Sequence, residues 1–127
     1  ERHIMVLNGA LRILYEGHGE KDLAVLEQDT FSGDWHTVSL GQAQDFNLML
    51  REGTKGCIRG LRLKAGESHA FTFFPGEKGV LLLYQGSGEA NQLSLSEWDG
   101  LLCQGPGELN VKAQTDCILA LARVQQQ

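Results

Sequence analysis

The chain has 127 residues, 42% hydrophobic and 21% charged, which fits one compact globular body rather than two independent domains. Its net charge of −5, from 11 basic and 16 acidic residues, repels phosphate backbones and argues against a nucleic-acid partner. The longest aliphatic run, residues 80–83 before Tyr84, is far short of the ~20 apolar residues of a membrane helix, and no signal-peptide pattern opens the chain.

Sixteen glycines against two prolines punctuate short apolar stretches, and no 3.6-residue period is sustained, so the expectation is many short strands joined by tight turns. Residues 2–7 predict a first strand with Arg2, Ile4 and Val6 on one face. Residues 16–22 predict a long turn, and residues 20–28 hold one amphipathic turn at most. Residues 42–50, QAQDFNLML, predict a strand with Asp45, Asn47 and Met49 on one face and Phe46, Leu48 and Leu50 on the other. Phe46 and Leu48 are expected in the core at ~1.5–3 kcal/mol each, fixing a register that aims Asp45 to the other side. Residues 56–75 predict two strands around a turn at Lys64, Ala65 and Gly66, followed by the 80–84 strand and a hairpin turn at Gly86, Ser87 and Gly88.

The chain repeats itself. Residues 5–13 resemble 82–90 at an offset of 77, residues 23–29 resemble 93–99 at 70, and residues 44–52 resemble 115–123 at 71. Two copies of one antiparallel unit predict an all-β fold, a bicupin or double jelly-roll barrel, with a first lobe at 1–52 and a second at 53–127. The two strands at 56–75 have no counterpart in the first copy. The first lobe is therefore expected to lack its leading strands, and the native protein to be longer at its N-terminus by about one pair of ~5–6-residue strands. Sheet edges left open in this way invite pairing with another chain, which allows a homodimer.

The chemistry-bearing residues exclude several classes. His3, His18, His36 and His69 are isolated, with no HxH or HxxE spacing, so no metal site is expected. Cys57, Cys103 and Cys117 are odd in number and lack a CxxC, which fits buried thiols in a reducing cytoplasm. No nucleophile elbow and no glycine-rich phosphate cradle occurs, so no cofactor is expected. What remains is Arg2, Asp45 and Asn47 on strand faces. Inside a barrel mouth they would form a polar floor for a small carboxylate or amide, because arginine binds carboxylates bidentately and asparagine both donates and accepts. On an outer face the same residues form a solvated row whose ion pair is worth ~0–1 kcal/mol.

Three stretches carry a family resemblance: ERHIMVLNG at 1–9, Phe31-Ser32-Gly33-Asp34, and Asp45-Phe46-Asn47-Leu48-Met49. Together they resemble the HutD/Ves family of small bacterial proteins, well over 1–52 and weakly beyond. The family's N-terminal segment, with a tryptophan, an asparagine and a glycine run, does not occur in this sequence. The resemblance implies a bicupin without the usual metal histidines and without an established enzymatic activity. It also implies an association with histidine utilisation or stress response, through binding an intermediate such as formylglutamate, with Arg2, Asp45 and Asn47 as pocket residues. Two alternatives stand beside it. One is a small isomerase or hydrolase with Asp45 as base, which requires Asp45 to be buried. The other is a protein-interaction module, which requires an apolar surface patch around Phe71, Phe73 and Phe74.

Overall fold

Alternating apolar residues and glycine turns give an all-β chain with no helix in the computed structural model, which describes residues 1–126. By its internal contacts the chain divides into two units, Glu1–Glu52 and Gly53–Gln127.

The first unit holds β1 (Arg2–Gly9), β2 (Leu11–Tyr15), β3 (Gly19–Leu23), β4 (Gln28–Phe31), β5 (Thr37–Leu40) and β6 (Ala43–Met49). They form two antiparallel sheets, ordered β4-β1-β6 and β3-β2-β5. On β2, Leu11, Ile13 and Tyr15 alternate inward, while Arg12 points out and binds Asp22 on β3 at 2.8 Å. With Ile4, Val6, Leu23 and Phe31 these residues make one buried cluster.

The second unit holds β7 (Thr54–Leu63), β8 (Ser68–Phe73), β9 (Glu77–Gln85), β10 (Gly88–Ala90), β11 (Leu93–Leu95), β12 (Gly100–Gln104), β13 (Gly107–Ala113) and β14 (Cys117–Gln126). Its sheets are ordered β12-β9-β14-β7 and β11-β10-β13-β8. Phe71, Phe73, Leu81, Leu83, Leu109, Val111, Leu119 and Leu121 dominate its buried cluster.

The two strand orders correspond. Leaving out β7 and β8, the second unit reads β12-β9-β14 and β11-β10-β13, which matches β4-β1-β6 and β3-β2-β5 strand for strand. The correspondence extends to irregularities. The β1–β6 ladder steps over Leu7 and the β9–β14 ladder steps over Tyr84. Gly9 and Gly86 follow those bulges with φ of 82° and 96°, and a Cβ on either would fall against a carbonyl oxygen, that of Gln42 or Asp116. Leu26 and Trp98 both take left-handed φ, 67° and 70°, and donate their backbone N–H to Val6 and Leu83.

These pairings correct two registers of the sequence repeat. Val6 faces Asp45 while Leu83 faces Leu119, so β6 matches β14 at an offset of 74, not 71. Leu11 faces Leu23 while Gly88 faces Leu95, so β3 matches β11 at 72, not 70. The first offset, 77, stands. Shared letters (a Leu, a Glu and an Asp) had drawn the other alignments two and three residues out of step.

The faces of β6 also differ from expectation. Phe46 lies opposite Met5 and Leu48 opposite His3, on the side of the sheet away from the unit's cluster, and both are only half-buried. The alternation set which residues share a face. It did not set which face is inward, because β1 is apolar on both sides: Met5 and Leu7 are as buried as Ile4 and Val6.

Candidate functional site

Asp45 lies opposite Val6 and Asn47 opposite Ile4, so both stand on the inward face of the first unit. Arg2 belongs to the same face, opposite Phe31 on β4 and Met49 on β6. Asn47 Nδ2 donates to Asp45 Oδ1 at 3.1 Å, as expected for residues two apart on one strand face. Arg2 does not join them. It sits four residues along β1 from Val6, about 13 Å at ~3.3 Å per residue, and no ion pair links it to either among the described residues. Its stem passes over Gly33, where a Cβ would come 3.1 Å from Arg2 Nε.

Asp45 and Asn47 are exposed and Arg2 is half-buried. The exposure follows from topology: β6 is an edge strand of its sheet and β5 an edge strand of the other. An exposed Asp45 lacks the dry surroundings that the general-base alternative needs. The interaction-module alternative loses its patch as well, because Phe71 and Phe73 are buried and only Phe74 is exposed.

The inward wall continues onto β5, which the sequence alone did not single out. Thr37 lies opposite Tyr15 and Ser39 opposite Ile13, on the face of the cluster, while Val38 and Leu40 point outward and are exposed. Matching the units position by position gives this wall its meaning. Asp45, Asn47, Thr37 and Ser39 occupy the places of Leu119, Leu121, Leu109 and Val111, four buried aliphatic residues of the second unit. At those four places the first unit carries polar groups where the second carries core.

A further polar group closes the far side. Tyr15 Oη donates to Asp29 Oδ2 at 2.8 Å, and Asp29 lies opposite Ile4, again on the inward face. Burial, then the bond to Asp29, pushes the Tyr15 phenol well above its ordinary value. Tyr15 also packs against Phe31 (5.1 Å between centroids) and Trp35 (5.7 Å), and His18 stacks on Trp35 at 3.8 Å. The wider spacing of Tyr15 and Asp29 in sequence gave no signal of their pairing.

The other histidines are dispersed: His3 binds Glu1 at 2.7 Å and Thr30 at 3.0 Å, and His69 packs edge-on to Phe71. No group of three or more His, Cys, Asp or Glu among the described residues is placed to hold a metal ion. Cys117 is buried and Cys103 half-buried, but Cys57 is exposed, contrary to expectation. Among the described residues no helix is long and apolar enough to cross a membrane.

Solved structures place this architecture. A conserved protein of unknown function, PA5104 from Pseudomonas aeruginosa, superposes with a TM-score of 0.78 at 20% identity, covering 98% of this chain and 70% of that one. HutD from Pseudomonas fluorescens, solved in a formate condition, gives 0.72 at 20% identity over 99% and 68%. Quercetin 2,3-dioxygenase from Acinetobacter baumannii gives 0.59 at 10% identity over 98% and 64%. The protein is thus an all-β protein of cupin-like fold. The HutD family model matches residues 1–121, and the chain belongs to the HutD family. No curated protein matches the sequence.

Proposed function

We propose that this chain is a non-enzymatic binding protein that holds a small carboxylate or amide on the inward wall of its first unit. Asp45 and Asn47 accept and donate there, with Thr37 and Ser39 beside them and Arg2 further along the same face. One observation carries the reading: four positions that are aliphatic core in the second unit are polar in the first. In the second unit each of those buried aliphatic residues contributes ~1.5–3 kcal/mol, a contribution that the exposed or half-buried polar residues of the first unit do not make.

In this reading the two units are copies of one jelly roll, a bicupin. In the second unit β7 runs along β14 and β8 along β13, whereas the matching edges of β6 and β5 carry no strand among the described residues. A strand pair laid along β6 and β5 would wall the polar row into a pocket, and a second copy of the chain could pair there instead. HutD membership and the HutD structure in a formate condition support testing small carboxylates and a regulatory role in histidine utilisation in the cytoplasm. The net charge of −5 supports a small-molecule ligand over nucleic acid or an anionic membrane surface.

Differential scanning with formylglutamate, urocanate, formate and glutamate tests it. A ligand present at 100 times its dissociation constant adds ~2.7 kcal/mol, a clear rise in Tm. Asp45→Ala and Asn47→Ala should abolish that rise while changing stability by no more than ~0.5 kcal/mol, since both side chains are exposed. An equal rise in both variants would remove these residues from the site.

A further inference from the structure

The second unit carries a basic cluster of its own, independent of the site in the first. β7 turns Cys57, Arg59 and Leu61 to the face of Arg123, Leu121 and Leu119, and β8 turns His69, Phe71 and Phe73 to the face of Val111 and Leu109. Arg59 and His69 thus stand on the edge strands of the two sheets, both against the buried ring of Phe71. The Arg59 guanidinium carbon is 5.6 Å from the ring centroid, and the His69 ring approaches it edge-on at 4.6 Å.

A neighbouring arginine shows what Arg59 lacks. Arg123 lies over Phe73 at 4.7 Å, and its fork is filled: Nε donates to Glu77 Oε2 at 3.0 Å, and Nη2 donates to Glu77 Oε1 at 2.6 Å and to the Thr72 carbonyl. Arg59 is held by an aromatic ring in the same way, yet no carboxylate or carbonyl occupies its fork among the described residues. The His69 imidazole likewise has no hydrogen-bond partner there. His69 is half-buried and Arg59 exposed, so both are reached from solvent.

The geometry points to a binding site for a small organic carboxylate, formed by Arg59 and His69 over Phe71. The vacant fork takes both carboxylate oxygens, as Arg123 takes those of Glu77. The imidazole adds a third donor, and the half-buried Leu61 with the Phe71 ring offers apolar surface to the ligand's carbon chain.

The test is NMR titration of the whole chain with acetate, butyrate and inorganic phosphate, reading the Arg59 Nε–H and His69 ring resonances. Both signals should shift saturably with acetate, and butyrate should bind several-fold tighter because its added methylenes meet apolar surface. Arg59→Gln should lose the shift of His69. Arg59→Lys keeps the charge without the fork and should weaken binding several-fold, which decides the matter if Arg59→Gln folds poorly. Asp45→Ala, in the first unit, should leave the titration unchanged, so failure here and failure of the first-unit site are separable. No saturable shift, equal affinity in Arg59→Lys, or saturation by phosphate alone would each overturn the assignment.

Discussion

Tyr15 and Glu77 show how single polar groups are held in each unit, and both make pH-dependent predictions. Asp29 accepts the Tyr15 hydroxyl at 2.8 Å, and the phenol is pushed above its ordinary value of 10.0, first by burial and then by that bond. The folded state therefore favours the protonated phenol. Its contribution is whole below about pH 10 and is lost as pH rises from there toward the folded value. Tyr15→Phe should cost ~1.5–3 kcal/mol at neutral pH, and thermal melts at alkaline pH should show the difference between wild type and variant shrinking. Glu77 behaves in the opposite sense. The Arg123 hydrogen bond, against a desolvation cost, holds its carboxyl below the ordinary 4.5. That stabilisation is present at neutral pH and is lost as pH falls below 4.5 through the folded value. Glu77→Gln should lower stability by ~1.5–3 kcal/mol at pH 7 and flatten the acid limb of the stability profile, as read by denaturant melts. Neither pair was legible in the sequence, because 14 and 46 residues separate the partners. Alternation alone placed Asp45 and Asn47 on one face, which required only the period of a strand.

At the level of elements, turns and bulges decide the register. The β1–β2 turn passes Gly9 at φ 82° with the Gln42 carbonyl against its missing Cβ, and Gly86 repeats the arrangement beside Asp116. Gly9→Ala should cost ~1–3 kcal/mol, from the left-handed backbone together with the blocked approach. Gly17→Ala, at φ 77° with open space around it, is the control and should cost less, as measured by urea melts. The repeat of these elements was legible in their order, apolar strand, glycine turn, strand, but not in their register. An alignment scored on shared letters follows Leu, Glu and Asp. The fold instead conserves bulge positions and the backbone bonds of Leu26 and Trp98, which leave little trace in residue identity. Phe46 was misplaced for a related reason: a strand buried on one face reads the same whichever face is inward, and here Met5 and Val6 bury both sides of the neighbouring strand.

Across the whole chain, one strand plan serves two ends. Among the described residues, eight strands of the second unit close around an apolar core that includes Phe71 and Phe73, and six strands of the first present a polar inward wall on β5 and β6. All-β class followed from glycine punctuation and short strands, and the family from the 1–9, 31–34 and 45–49 stretches. The wall itself became legible only when β6 and β14 could be matched by hydrogen bonding, since the misread offset paired Asp45 with Asp116 rather than with Leu119. The most direct test is a two-dimensional amide NMR spectrum of the chain recorded with and without the carboxylate or amide that most raises its Tm. Saturable shifts should centre on the Asn47 side-chain amide and the backbone of residues 37–39 and 43–49. Perturbations absent from those residues, with the ligand bound elsewhere, would contradict the first-unit site.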